Sequence, residues 1–116
     1  MATEVESILG SVKKGIGPSE SYDYFEPDLI MHINSTFVIL QQLGVGPSTG
    51  YAITGEEETW ADFLPEDDPR FNAAKSYMLL KVKKAFDPPQ SGILLQAMNE
   101  MIAEYEWRLC NPVSTD

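Results

Sequence analysis

The segment 23–47 limits the fold more than any other part of the chain, because it encodes an apolar helix with a marked beginning and end. It reads DYFEPDLIMHINSTFVILQQLGVGP. Pro27 fits a first helical turn, where a backbone N–H has no partner to lose, and the acidic residues beside it favour the positive end of the helix dipole. Gly44 suits a left-handed cap. Between them an apolar stripe recurs at helical spacing: Ile30, Ile33, Phe37 and Leu40. We predict a helix over 27–43.

The same signals predict an all-α fold, a small bundle of about four helices in one domain over 1–116. Thr3 and Glu6 form a capping-box pattern for the first helix, and Asp68-Pro69 resembles the start of the third. The last helix is expected to turn one apolar face to the core, made by Leu94, Met98, Met101, Ile102, Tyr105 and Leu109. The predicted bounds of these three helices are 4–14, 69–86 and 91–110.

A long loop over 44–59 separates the second and third predicted helices. Its segment 51–54 lies between glycines and favours a short strand or the arm of a β-hairpin. Thr59 and Asp62 then predict one brief helical turn that carries Trp60 and Phe63.

The chain is strongly acidic, with 8 basic and 18 acidic residues and a net charge of −10. Such a protein is repelled by phosphate backbones and anionic lipids, which argues against nonspecific nucleic-acid or membrane binding. We expect neither a membrane span nor a signal peptide, since no apolar run or charged leader has the required layout. The single cysteine, Cys110, excludes an internal disulfide and is interpreted as a small packing residue.

No pattern of catalytic or metal-binding residues is found in the sequence. His32 is the only histidine, and no second histidine or nearby cysteine would complete a metal site or a catalytic pair. The acidic clusters lack the alternating oxygen spacing of a calcium loop. We therefore expect no enzyme activity, no cofactor and no metal.

The large apolar residues in and beside the long loop have two possible roles. They either fold back to cap the core or remain exposed and contact another subunit; these residues are Tyr51, Ile53, Trp60, Phe63 and Leu64. The sequence alone leaves both alternatives open.

Seven blocks of the sequence stand in a characteristic order and spacing. They are FEPDLIMHINS (25–35), QLGVGP (42–47), TWADFL (59–64), the helix 74–86, FDPP (86–89), MNEMI (98–102) and EWRL (106–109). Taken in this order, they resemble the head–tail connector or adaptor proteins of long-tailed bacteriophages. The resemblance covers nearly the whole chain and is weakest in 1–17 and after Leu109.

This resemblance implies a virion protein of the neck, assembled in the host bacterial cytoplasm. Its copies would form a closed ring of roughly twelve subunits. Its implied partners are the portal protein, the next head-completion (stopper) or tail protein, and further copies of itself. DNA would pass through the channel without specific binding, and acidic residues lining that channel would keep DNA from adhering. Family members carry no catalytic residues.

A ring needs two complementary surfaces on each subunit, and we predict which residues form them. The anchors on the loop side are expected to be Tyr51, Ile53, Trp60 and Phe63. The acceptor is expected on the third and fourth helices, around Tyr77, Lys81 and Lys84, with the lysines facing the neighbour's Glu56, Glu57 and Glu58.

Two alternatives remain at this stage. One is another head- or tail-completion protein, a class that is usually rich in β-strands. The other is a soluble, acidic helical regulator that binds a partner protein as a monomer or dimer.

Overall fold

The computed structural model describes residues 6–17 and 25–111, and these form an all-α fold as predicted. The short strand or hairpin arm predicted at 51–54 is wrong, because these residues are irregular and make no β-pairing. Within the described residues the only β-type pairing is an isolated bridge between Ser7 and Thr59. The helices are α1 (Ile8–Ile16), α2 (Glu26–Gln42), α3 (Trp60–Phe63), α4 (Phe71–Phe86) and α5 (Gly92–Cys110).

Helix α1 begins later than predicted. Glu6 and Ser7 precede the helix, and the Ser7 hydroxyl accepts a hydrogen bond from the backbone N–H of Gly10 at 2.9 Å. Ser7 is therefore the cap, and the predicted cap Thr3 lies outside the described residues. The helix continues past Lys14 and ends at Gly17, whose φ of 104° lies in the left-handed region.

Helix α2 lies within one residue of its predicted bounds at both ends. Its buried face is formed by Leu29, Ile33, Thr36, Phe37 and Leu40. The chain leaves the helix through Gly44, with φ of 84°, and the N–H of Val45 donates back to the carbonyl of Leu40 at 2.9 Å. This is the glycine-dependent ending that the sequence predicted.

Helix α4 begins at Phe71, two residues after the predicted Pro69, and Asp68 is not its cap. The Asp68 carboxylate instead accepts hydrogen bonds from the backbone N–H of Arg70 at 2.8 Å and from its guanidinium at 3.1 Å. The side-chain bond from Arg70 lowers the pKa of Asp68. Because the Asp68 carboxylate is hydrogen-bonded to Arg70, it does not cap the helix, and the helix starts only after Arg70.

Helix α4 is the central helix of the bundle, since α1, α2 and α5 all pack against it. The buried side chains of all the described helices and of the 44–59 loop join in one hydrophobic core. On α5 only part of the predicted apolar face is buried: Met98, Ile102 and Leu109 lie in the core, whereas Leu94 and Met101 are exposed. The prediction that these two residues pack inside is therefore wrong.

The 44–59 loop packs against the helices through a close contact at Gly46. This residue has φ of 88°, and a Cβ atom added there would overlap the ring of the buried Phe63. Gly44 has a similar φ of 84°, but nothing lies within 4 Å of a Cβ built on it. A side chain at either glycine would therefore strain the backbone, but only one at Gly46 would also disturb the packing of Phe63.

We expect Gly46→Ala to destabilise the fold clearly more than Gly44→Ala. Both variants place an alanine at positive φ, which costs about 1–2 kcal/mol. Only Gly46→Ala also crowds the aromatic ring, and such overpacking adds about 1–3 kcal/mol. Urea unfolding followed by circular dichroism measures both losses, and equal losses in the two variants would show that the contact with Phe63 does not constrain the loop.

Candidate functional site

The aromatic residues of the loop region form a cluster around Phe37 of α2. Its ring centroid lies 4.7 Å from that of Phe63, 5.2 Å from that of Tyr51 and 5.9 Å from that of Trp60. The interplanar angles are tilted or edge-on, as favoured by the ring quadrupoles. The cluster joins α2, α3 and the loop into one packed unit.

Polar contacts hold the same loop in place. The side-chain amide of Asn34 donates to the carbonyl of Ile53 at 3.0 Å and accepts from its N–H at 2.8 Å. The indole N–H of Trp60 donates to the Ser11 hydroxyl at 2.8 Å. The backbone N–H and carbonyl of Ile53 are thus both hydrogen-bonded to a side chain of α2. The loop can therefore pack against this helix without a partner strand.

The structure places the predicted loop anchors inside the protein. Ile53, Trp60 and Phe63 are at most 5% exposed, and Tyr51 is half-buried in the aromatic cluster. In the folded subunit their apolar surface is already covered. Of the two roles left open by the sequence, capping the core is the one that the structure shows for these three residues.

Tyr77, predicted as part of the acceptor surface, is fully buried on α4. Its hydroxyl donates to the Glu106 carboxylate on α5 at 2.7 Å. Burial, together with the hydrogen bond and the negative charge of Glu106, raises the pKa of Tyr77 well above its usual range. Tyr77 therefore links two helices of the core.

The charged residues of the predicted interface are mostly accessible. Glu56, Glu57 and Lys84 are exposed, and Lys81 is half-buried. Glu58 is half-buried and accepts hydrogen bonds from the N–H and hydroxyl of Thr54 at 3.0 and 2.9 Å. Desolvation opposes the charged form of Glu58, but the hydrogen bonds outweigh it and lower its pKa. Glu58 stabilises its own loop.

A groove of about 380 Å³ runs between α2 and α4 on the side of the two lysines. His32 lies at its edge with its ring edge-on to Phe86, at a centroid distance of 5.2 Å. The groove is lined by His32, Ser35, Thr36, Ile39, Lys81, Lys84 and Ala85. Its lining thus combines two lysines with polar side chains and with the aliphatic Ile39 and Ala85.

Exposed apolar side chains on α2 and α5 are the surface feature that the sequence analysis missed. Met31 and Val38 lie on the outer face of α2, and the others are Phe25, Ile93, Leu94, Met101 and Trp107. A signal was present for α2, because Met31 and Val38 are seven residues apart and lie off the stripe of Ile33 and Phe37. Cys110 is exposed too, so its predicted packing role is wrong.

The described residues contain neither a cluster that could hold a metal ion nor a helix that could span a membrane. Within 6–17 and 25–111, no three His, Cys, Asp or Glu side chains lie close enough together to hold a metal ion. Among the helices described, none is both long and apolar enough to cross a membrane.

Comparison with known protein families identifies the family of this chain. Residues 8–115 match the family of phage connector proteins. The chain belongs to this family. The resemblance seen in the sequence is thereby confirmed. No significant match to this connector protein is found among curated proteins or among solved structures. The family is a structural one.

The two tryptophans of the connector protein provide a direct test of which aromatic residues belong to the core. Trp60→Ala should destabilise the fold by about 3–5 kcal/mol, because it empties a buried site and removes the bond to Ser11. Trp107→Ala is the matched control, since its side chain is 65% exposed, and should change stability by about 0.5 kcal/mol or less. Chemical unfolding measures both, and similar small effects would contradict the buried position of Trp60.

The connector protein should lose stability at alkaline pH partly through Tyr77. Its pKa is higher in the folded than in the unfolded chain, where it is about 10. Its contribution is complete below that value and is lost as the pH rises through the folded pKa. Tyr77→Phe should therefore flatten the fall in unfolding free energy above about pH 10.

A second variant separates the causes of this effect. Glu106→Gln keeps an acceptor for the Tyr77 hydroxyl but removes the negative charge, so part of the pH dependence should persist through burial. Unfolding at a series of pH values measures the slopes. If Tyr77→Phe has the same slope as the unmodified protein, the buried hydroxyl does not cause the effect.

Proposed function

We propose that this chain is one subunit of an oligomeric ring that joins the portal vertex of the phage head to the downstream neck or tail proteins. In this role the ring extends the DNA channel, and the protein is found in the neck of the virion after assembly in the host cytoplasm. The observation that carries the proposal is the match of residues 8–115 to the phage connector family.

The surface chemistry supports a role in protein contacts. Large apolar side chains are exposed on both α2 and α5, and exposed apolar surface of this kind is typical of interaction sites. Contacts through such side chains would stabilise an assembly without any catalytic group.

The net charge supports passage of DNA without binding to it. At −10, the subunit repels the phosphate backbone, and a ring multiplies this charge by its number of copies. We propose that part of the acidic surface lines the channel. DNA would then slide past the wall, because few cationic groups would be available to release its counterions.

Binding to the portal protein of the same phage tests this function. The tagged chain should co-purify with assembled portal rings and appear as a continuous ring beneath the portal in cryo-electron microscopy. The portal protein of an unrelated phage is the negative control. If the chain binds no portal and is absent from the neck of purified virions, the connector role at the portal is wrong, and a monomeric or dimeric regulator becomes the better explanation.

The position of the acidic residues can be tested separately. A variant with Glu56→Lys and Glu57→Lys changes two exposed side chains, so the fold should be preserved. If these residues line the channel, virions carrying the variant should release DNA more slowly, in a manner that salt reverses. Unchanged release would place these two residues away from the DNA path.

A further inference from the structure

Two exposed apolar stripes of matching length lie on different helices. The α2 stripe consists of Met31 and Val38 with the small Ser35 between them, and the α5 stripe consists of Leu94 and Met101 with the small Ala97 between them. In each stripe the large residues are seven positions apart, which is about 10.5 Å along a helix. A small residue between two large ones lets a neighbouring helix approach closely.

The four large side chains of these stripes are unusually accessible for apolar residues on core helices. Met31 and Val38 are 56% and 51% exposed, and Leu94 and Met101 are 60% and 50% exposed. The opposite faces of both helices are buried against the core. Each helix therefore has a complete inner face and a second, uncovered apolar face.

Charges of opposite sign flank the two stripes. Beside the α2 stripe, Ser35 lines the groove that carries Lys81 and Lys84, and neither lysine has an ion-pair partner among the described residues. Beside the α5 stripe lie the exposed Glu100 and Glu104. Glu104 pairs with the exposed Arg108 at 3.2 Å, and such a surface pair contributes little. Lysines therefore lie beside the α2 stripe, which the exposed Asp28 also borders, and carboxylates lie beside the α5 stripe.

We propose that these two surfaces bind each other in neighbouring copies of the chain. The α2 stripe with Lys81 and Lys84 of one copy contacts the α5 stripe with Glu100 and Glu104 of the next copy. Because the two surfaces differ, every added copy presents a new free surface of each kind until the ends meet and close a ring. This inference rests on the proposed ring assembly and names the surfaces that build it.

The acids of the 44–59 loop are a weaker partner for the lysines. The apolar residues near them, Ile53 and Trp60, are buried in their own subunit, and Glu58 is occupied by Thr54. A contact there would have charges without an apolar centre. On α5 the two kinds of group lie side by side, as in typical interfaces that have an apolar core and a polar rim.

Disulfide cross-linking of the full-length chain tests the pairing. All variants carry Cys110→Ser, since the native cysteine is exposed. The double variant Val38→Cys with Met101→Cys should form a ladder of covalent oligomers under mild oxidation. Either single variant should remain monomeric on the gel, because each cysteine then faces the other stripe of the neighbouring copy and not its own counterpart. Dimers formed by a single variant would indicate a two-fold contact and overturn the proposal, as would a double variant that forms no ladder.

Charge reversal tests the polar part of the contact. Lys81→Glu with Lys84→Glu should reduce self-association by about tenfold or more, measured by native mass spectrometry at fixed concentration. Adding Glu100→Lys and Glu104→Lys to the same chain should restore it. The matched control adds Glu56→Lys and Glu57→Lys instead and should not. Restoration by the loop pair alone would assign the lysines to the loop and overturn the α5 contact.

The cross-linking test of this pairing and the portal-binding test of the proposed function can fail independently. If the chain binds the portal but the double cysteine variant gives no ladder even on portal rings, the connector role stands and this pairing is wrong. If ladders form although the chain binds no portal, the pairing stands and the role at the portal is wrong.

Discussion

The packing of Phe37 against Tyr51 of the 44–59 loop and against the two aromatic residues of α3 is the interaction on which the rest of the structure depends. Phe37 contacts Tyr51, Trp60 and Phe63, while Asn34 satisfies both backbone groups of Ile53. Together these contacts turn a long irregular segment into part of the core. Because the aromatic side chains of the loop and of α3 pack inside the subunit, the large apolar side chains that remain exposed lie on or beside α2 and α5.

Helix α4 lies between α1, α2 and α5, and this position leaves the outer faces of α2 and α5 uncovered. It packs against α1, α2 and α5, and its buried Tyr77 is joined to α5 through Glu106. One central helix thus provides the inner contact for both α2 and α5, so each of them is left with an outer face. Those outer faces carry the exposed apolar residues, and their different neighbouring charges make the two sides of the subunit unlike each other.

The interiors of the helices and the bounds of α2 and α5 could be predicted from the sequence, whereas the starts of α1 and α4 and the limits of burial could not. Helical periodicity identified α2 almost to the residue, since its cap signals lie at both ends. The start of α4 was missed because Asp68 binds Arg70, a local competition that cap preferences do not describe. Leu94 and Met101 match the core period of α5, but periodicity does not show where a neighbouring helix ends. The family was recognised from the order of the sequence blocks, while the exposed faces required the packed structure.

The two tryptophans lie in contrasting environments, so their intrinsic fluorescence reports on two different parts of the subunit. Trp60 is enclosed by aromatic rings and bonded to Ser11, whereas Trp107 lies in solvent on α5. Their intrinsic fluorescence therefore arises from one apolar and one aqueous environment. Unfolding changes the emission of the enclosed indole, while any protein that covers this part of α5 changes that of the other. Folding and docking can thus be followed on the unlabelled chain as two distinct signals.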